Sequence, residues 1–199
     1  MKTVKNRIII LNFFVCFLSV GNNPVFSQKE LTVFGKVGIP LQSDAVWMNS
    51  FDWKKPNFGV DLGAIYHINK FFFVGIGAGY HTSNLNTYSH SFFDVYTKTG
   101  FQTNIKERVF FHFGTNQGYG LCRFTFLTEP HRTNSSDYRT ENIHCFLFAP
   151  EFQILVKVYE NLFLKTGVSY NMYLSAKDEM FSFSAQLGIA YKFNFLKVK

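Results

Sequence analysis

The sequence predicts an all-β fold: an eight-stranded antiparallel up-and-down transmembrane β-barrel preceded by a cleaved signal peptide. Three features of the chain support it: an export-type start, connections that alternate between short and long, and strands that have one apolar face. The clearest strand is 181–195, in which bulky apolar side chains alternate with small or polar ones. Because successive side chains of a strand point to opposite sides, one face of this strand suits hydrocarbon and the other suits a polar lumen.

The first element is a predicted signal peptide over residues 1–27. It opens with three basic residues, Lys2, Lys5 and Arg7. An apolar segment follows at 8–20, and compact residues at 25–27 match the positions that a signal peptidase reads. An uncleaved anchor is disfavoured, because about 13 apolar residues are too few for a helical span of about 20. The remaining residues, 28–199, are expected to form one barrel domain.

Eight strands follow from period-2 alternation and from turn residues. They are predicted at 31–39, 57–68, 71–81, 92–105, 109–124, 144–158, 162–173 and 181–195. Short turns are predicted at 69–70, 106–108 and 159–161, and longer loops at 40–56, 82–91, 125–143 and 174–180. An even strand number with this alternation is typical of outer-membrane barrels, whose short turns face the periplasm. Pro150 cannot donate to a ladder, so a bulge is expected there.

Composition excludes several other classes of protein. The formal net charge is +7 and falls to +4 without Lys2, Lys5 and Arg7; the remaining basic residues are spread over strands and turns without a cluster of the kind that nucleic-acid binding uses. Aromatic residues make up 19% of the chain and gather towards the strand ends, as in the two girdles of a membrane barrel. A soluble lipocalin-like barrel is the alternative fold, but its interior is too small for this apolar set.

The polar strand faces predict a charged network inside the barrel. Its members are Lys36, Asp61, Asp94, Lys98, Glu151, Lys157, Lys165 and Lys192. Charges removed from water need partners, and an eight-stranded barrel has a narrow lumen, so we interpret them as an ion-paired plug. Glu151 is expected to be the central acid, and selection or gating of a solute is the alternative.

Two cysteines flank the longest predicted loop. Cys122 and Cys145 share the inward face, and they lie opposite each other if the ladder closes at about Phe124 and Ile143. That places them within the Cα separation of about 4.4–6.8 Å that a disulfide requires. The periplasm is oxidising, so a bond is predicted. Two free buried thiols are the alternative, because a register shift of two residues separates them.

The last strand carries a second signal. Its polar, glycine and aromatic positions, Gln186, Gly188, Tyr191 and Phe193, resemble the assembly signal that the barrel-assembly machinery reads, although the chain continues to Lys199. With the strand pattern, the mature chain resembles small bacterial outer-membrane β-barrels of the OmpX and OmpA transmembrane-domain type. The resemblance implies export through the periplasm, an outer-membrane location, contact with outer-membrane lipids and lipopolysaccharide, and no cofactor.

The histidines are weighed as candidates for chemistry. The segment 81–84, His-Thr-Ser-Asn, is similar to the His-x-Ser-Asn element of outer-membrane lipid A deacylases, in which the histidine activates the serine as a nucleophile. The resemblance implies that His81 would activate Ser83 and that Asp94 would orient His81. Those enzymes carry the element late in the chain, and these residue types also suit a strand that enters a loop. We therefore interpret the segment as structural. His112 is expected to lie inside the lumen, and His131 and His144 lack metal-ligand spacing.

The sequence predicts a non-enzymatic role, structural or in surface interaction through the external loops. The best candidate contact for an extracellular partner is loop 125–143, with Arg132, Asp137, Tyr138, Arg139 and Glu141. Arg123 lies on the outward face near the outer rim, where it meets lipid phosphates or snorkels to the interface. A narrow porin-like channel for small solutes is the first alternative, and a lipid A-modifying hydrolase is the second.

Overall fold

A computed structural model of the chain forms one closed barrel of eight antiparallel strands in sequential order. The structure describes residues 30–43, 58–84, 88–105, 108–127, 138–175 and 179–194. The strands are β1 Glu30–Ser43, β2 Phe58–His67, β3 Phe72–Asn84, β4 Tyr88–Ile105, β5 Val109–Leu127, β6 Tyr138–Tyr159, β7 Leu162–Leu174 and β8 Glu179–Asn194. β1 pairs with both β2 and β8, which closes the barrel. The predicted eight-stranded antiparallel up-and-down barrel is confirmed.

Several strands are longer than predicted at one end of the barrel. We call this the loop end, and the end with the turns at 68–71 and 160–161 the turn end. β5 and β6 have 19 and 22 residues and stay paired up to Leu127 and Tyr138. Both ends of the predicted loop 125–143 are therefore strand: residues 125–127 belong to β5, and residues 138–143, with Arg139 and Glu141, belong to β6. Arg132, Asp137, His131 and the predicted signal peptide lie outside the described residues.

The outer surface of the barrel is apolar. Side chains at mid-strand are broadly exposed there, with Leu62 at 64%, Ile76 at 67% and Ile189 at 60%. A soluble monomer rarely exposes so large a contiguous apolar surface, whereas a barrel in lipid requires one. The lipocalin-like alternative is therefore excluded. Among the described residues, no helix is long and apolar enough to cross a membrane.

The bulge predicted at Pro150 is wrong. Pro150 lies opposite Thr115 of β5 in an unbroken register, and on its other side the ladder to β7 omits only Ala149 and Pro150 without a shift. The sheet therefore accommodates the missing N–H by losing local pairs. Register shifts occur instead between Pro40 and Gln42 in the β1–β8 ladder and between Lys157 and Tyr159 in the β6–β7 ladder.

Two apolar layers fill the lumen above and below its middle. The layer nearer the loop end contains Tyr96, Cys122, Cys145, Leu147, Ala149, Tyr173 and Met180. The layer nearer the turn end contains Phe34, Ile65, Phe73, Leu155, Phe163 and Ala190. Inward glycines make room for the rings: a Cβ added to Gly77 would lie 2.6 Å from the Tyr96 ring. The charged residues lie between these layers.

Candidate functional site: a charged network inside the barrel

Glu151 on β6 is the centre of the network. Its side chain is 1% exposed and pairs with two lysines from other strands: Lys98 contacts Oε1, and the Lys36 Nζ lies 3.3 Å from Oε2. Asn116 and Gln153 also donate hydrogen bonds to Oε2, at 3.3 and 2.9 Å. A buried carboxylate needs partners that offset its lost hydration, and β1, β4, β5 and β6 each supply one of the four found here.

Two further acids lie on the loop-end side of Glu151. The Tyr96 hydroxyl donates to Asp61 at 3.2 Å, and the Tyr173 hydroxyl donates to Asp94 at 2.9 Å. His81 bridges them, with Nε2 3.8 Å from Asp61 and 3.5 Å from Asp94. Two hydrogen-bonded carboxylates and a histidine therefore occupy this part of the lumen.

Gly79 provides the space for this group. It pairs with Asp61 on one side and Asp94 on the other. A Cβ at this position would lie 2.5 Å from Asp61 Oδ1 and 3.0 Å from His81 Nε2. Only a residue without a side chain lets the two acids and the histidine approach one another.

Lys165 is held in a different way. Its side chain is 2% exposed, and its Nζ lies 3.7 Å from the centre of the Phe34 ring. Among the described residues, Nζ has no hydrogen-bond partner. A cation over a desolvated aromatic face is stabilised by the ring quadrupole, so Phe34 takes the place of a carboxylate here.

Formal charge is balanced in the buried network. Three lysines and three acids are each at most 6% exposed: Lys36, Lys98, Lys165, Asp61, Asp94 and Glu151. Gln186 connects the ions to the surrounding strands, because it accepts from Lys36 at 3.1 Å and donates to Ser169 at 2.8 Å. The middle of the lumen is therefore occupied by buried polar side chains, of which Lys165 has a ring and not an ion as its partner.

Two of the eight predicted lysines and acids lie outside the buried network. Lys157 is exposed near the turn end, where β6 is irregular. Lys192 lies near the same end, partly exposed, and its Nζ forms an ion pair with Glu30 at 2.5 Å. Both lie at alternate positions from the inward residues of their strands, as predicted, but they are too close to the end of the barrel to reach its middle.

The predicted disulfide between Cys122 and Cys145 is wrong. Both thiols are free and buried. Cys122 lies opposite Ile143 and Cys145 lies opposite Gly120, two residues away from the register that would bring them together. The prediction set Phe124 opposite Ile143, whereas the β5–β6 ladder sets Phe124 opposite Glu141.

The histidines show no catalytic or metal arrangement among the described residues. His81 turns into the lumen towards Asp94 and Asp61, and the side chain of Ser83 lies outside the described residues. His67 and His112 line a small cavity near the turn end, and their Nδ1 atoms have no partner within the described part of the chain. In the same part of the chain, no group of three or more His, Cys, Asp or Glu side chains is placed to hold a metal ion.

The residues of the assembly-like motif divide between the two faces of β8. Gln186 is buried inside, and Gly188 faces the lumen, where an added Cβ would lie 2.7 Å from Lys36 Cα. Tyr191 and Phe193 are exposed outside, with ring centres 4.7 Å apart. The sequence analysis did not identify the inward aromatic residues Phe34, Tyr96 and Tyr173 as parts of the network. Each is two residues from a polar residue of the same strand face, Lys36, Asp94 and Asn171 respectively, so the alternation could have placed them inside.

Comparison with known proteins identifies the fold. No protein-family model matches the chain, and no curated protein sequence matches it significantly. Solved structures do. The attachment invasion locus protein Ail of Yersinia pestis is similar with a TM-score of 0.56 at 13% identity, over 83% of this chain and 99% of Ail. Neisserial surface protein A is similar with a TM-score of 0.56 at 12% identity, over 83% of this chain and 97% of that protein. A major outer membrane protein of Thermus thermophilus is similar with a TM-score of 0.57 at 11% identity, over 82% of this chain and 99% of that protein.

The chain has the fold of the small outer-membrane barrels. This confirms the class that the sequence predicted. The fold and the apolar outer surface together place the protein in a bacterial outer membrane. The names of these three structures denote attachment and invasion, a surface protein and a major outer membrane protein, and none denotes an enzyme.

Proposed function

We propose that this protein is a non-conducting outer-membrane barrel whose role is structural or in surface interaction. The charge-balanced network around Glu151 carries this proposal. Its six ions are almost completely buried between two apolar layers, so a hydrated solute has no continuous polar path. An eight-stranded barrel has room inside only for packed side chains, and these ions are held by one another, by neighbouring hydroxyls and amides or, for Lys165, by the Phe34 ring.

Surface interaction would take place at the loop end, on the β5–β6 hairpin. Arg123 is exposed there and its Nε donates to Asn142 at 3.3 Å, which fixes the guanidinium on the outward face. Thr125 and Thr140 are hydrogen-bonded across the same ladder at 3.3 Å. An oriented cation on a rigid ladder suits an anionic group, such as a sulfate or a lipopolysaccharide phosphate.

A structural neighbour gives this surface a precedent. Ail, 14% identical with a TM-score of 0.54, was solved in complex with the heparin analogue sucrose octasulfate. That ligand is a polyanion. We infer that the extracellular partner of this chain is anionic and meets the loop end around 125–143. A narrow channel and a lipid A hydrolase remain alternative functions.

Two further inferences concern biogenesis. Residues 1–27 act as a signal peptide, which fits a first strand that begins at Glu30. The barrel-assembly machinery reads the exposed rings of Tyr191 and Phe193 on β8. Mass spectrometry of the protein from outer membranes should give a chain that begins at Gln28, and retention of Met1 would contradict cleavage.

Conductance tests the non-conducting state. The protein, folded into planar lipid bilayers, should give no stable unitary current at moderate voltage. Large and uniform single-channel currents from the wild type would refute the plug and favour the channel. The double variant Lys98→Ser with Glu151→Ser keeps the formal charge balanced while it removes the central pair, so any gain of current in this variant alone supports the plug.

Binding tests the surface role. Intact cells that display the protein should bind sucrose octasulfate immobilised on beads. Replacement of residues 128–137 by a two-residue Asn-Gly turn keeps the β5–β6 ladder and should reduce binding. Arg123→Gln should reduce it as well, whereas Lys157→Gln, at the opposite end, is the matched control. Equal binding by all four proteins would exclude the loop end as the contact.

A further inference from the structure

A small polar patch interrupts the apolar outer surface of the barrel. It consists of Thr97 and Thr99 on β4 and Thr115 and Gln117 on β5, which are cross-strand partners: Thr97 with Gln117, and Thr99 with Thr115. Parity places all four side chains outside, because the alternate residues Tyr96, Lys98 and Asn116 are buried in the lumen. The four residues are exposed or partly exposed.

The patch lies at the depth of the hydrocarbon. Along β4 it is bracketed by the exposed rings of Phe93 and Phe101, and along β5 by those of Tyr119 and Phe113. Phe93 and Phe101 are separated by about 26 Å of strand at about 3.3 Å per residue. At the strand tilt of about 35–45° in such barrels, this length spans about 20 Å of the membrane normal, which is most of an apolar band about 25 Å tall, so the rings lie near the two edges of that band. The four polar side chains are therefore midway between the interfaces.

Internal hydrogen bonds satisfy most of the patch. Thr97 donates to the backbone oxygen of Gln117 at 3.1 Å, Thr99 and Thr115 share a bond of 3.3 Å, and Gln117 Nε2 donates to Thr115 at 3.1 Å. Among the described residues, no hydrogen bond reaches Gln117 Oε1. In hydrocarbon there is no water to supply one, and an amide without partners is costly.

We propose that this β4–β5 face is a dimer interface at which a second copy of this chain covers Gln117. The amide is both donor and acceptor, so two copies related by a twofold axis satisfy each other reciprocally. Copies inserted in the same orientation are related by an axis along the membrane normal, which keeps both Gln117 side chains at the same depth. The flanks of the patch are apolar: Ile76 on β3, and Phe148 and Pro150 on β6.

Sedimentation in density-matched detergent micelles tests the proposal. The wild type should dimerise, and Gln117→Leu should weaken association by about tenfold, a typical effect for one polar contact between membrane-spanning segments. Leucine suits lipid, so the variant should keep the gel-mobility shift of a folded barrel. The matched control is Thr166→Val on β7, an exposed threonine that donates to the Gln186 backbone oxygen at 3.2 Å; it should dimerise like the wild type.

Cross-linking in lipid vesicles gives an independent readout. Gln117→Cys should form a disulfide-linked dimer under mild oxidation, whereas Thr166→Cys and the wild type, whose Cys122 and Cys145 are buried, should not. A monomeric wild type, unchanged dimerisation of Gln117→Leu, or equal cross-linking through Thr166→Cys would each overturn the proposal. The first of these results would mean that lipid alone covers the patch.

Discussion

In the loop-end half of the luminal network, Asp61 and Asp94 each accept one hydrogen bond from a tyrosine hydroxyl, of Tyr96 and Tyr173 respectively. In the other half, Lys98 pairs directly with Glu151, and Lys165 lies over the Phe34 ring. The two loop-end acids thus have tyrosine hydroxyls as their hydrogen-bond donors, with Lys36 4.0 Å from Asp61, whereas Lys36 and Lys98 share Glu151 and Lys165 has a ring as its partner. Balanced charge therefore does not mean three equivalent ion pairs, and we expect the free energy of the network to be concentrated at Glu151, which contacts two of the three lysines.

The largest effect is expected from Glu151→Ala. It leaves Lys36 and Lys98 buried without their main partner, and the loss of one member of a buried ion pair typically costs about 3–5 kcal/mol. A urea titration in lipid vesicles, read by the mobility of folded and unfolded chain on gels, measures the change in unfolding free energy. Glu151→Gln keeps the side-chain volume and should still destabilise strongly; unchanged stability of both variants would mean that the acid is not central.

A smaller effect is expected from Tyr173→Phe. The substitution removes the donor to Asp94 and keeps the ring that stacks on Phe92, with centres 4.5 Å apart. A buried carboxylate that loses one hydrogen bond should lower the unfolding free energy by about 1–3 kcal/mol. Tyr170→Phe is the matched control, because Tyr170 is exposed on the outer face of the same strand. Equal losses in both variants would place the effect in the membrane interface and not in the network.

Lys165→Met should change stability by less than about 1 kcal/mol, because no hydrogen bond of Nζ to the described residues is lost and the flexible thioether can contact the Phe34 ring in place of the cation. The same urea titration measures it. A loss as large as that of Glu151→Ala would show that total charge, rather than individual pairing, governs the network, and the comparison between the two halves would fail.

No effect on lipid composition is expected. Cells that express the protein should keep the acyl chains of their lipid A, measured by mass spectrometry, because His81 faces Asp94 inside the lumen and away from lipid. Loss of an acyl chain in the wild type that is restored by Ser83→Ala would establish the hydrolase and overturn the non-enzymatic role.

Strand parity made the fold predictable. The alternation of Asp61 with Val60 and Leu62, for example, already assigned the faces of β2, and the structure agrees. Parity also brought Lys36, Lys98 and Glu151 into one lumen. Parity carries no information on register, however, and the predicted pairing of Cys122 with Cys145 was therefore wrong by two residues. The polar ends of β5 and β6 also resemble loops in sequence, so the full length of these strands was not predicted.

Other features depended on neighbours that are distant in sequence. Nothing near Lys165 indicates that Phe34, on the first strand, serves as its partner, because the contact exists only once the barrel has closed. The tolerance of Pro150 likewise depends on which of its two ladders needs its N–H. The alternation of residue types in a strand determines which face of the sheet a residue occupies, whereas closure of the barrel determines which side chains it contacts on that face.

The position of Lys36 on the first strand has a consequence for assembly. Its two carboxylate contacts come from β2 and β6, at 4.0 Å for Asp61 and 3.3 Å for Glu151, and its neighbour across the seam with β8 is Gly188. The seam joins the two strands that are farthest apart in the sequence, whereas every other ladder pairs sequence neighbours. A seam that slipped by two residues would carry Lys36 away from Glu151 and set a side chain against it in place of Gly188. The pairing of Lys36 with Glu151 thus stabilises one register of β1 against β8 over the registers that are shifted by two residues.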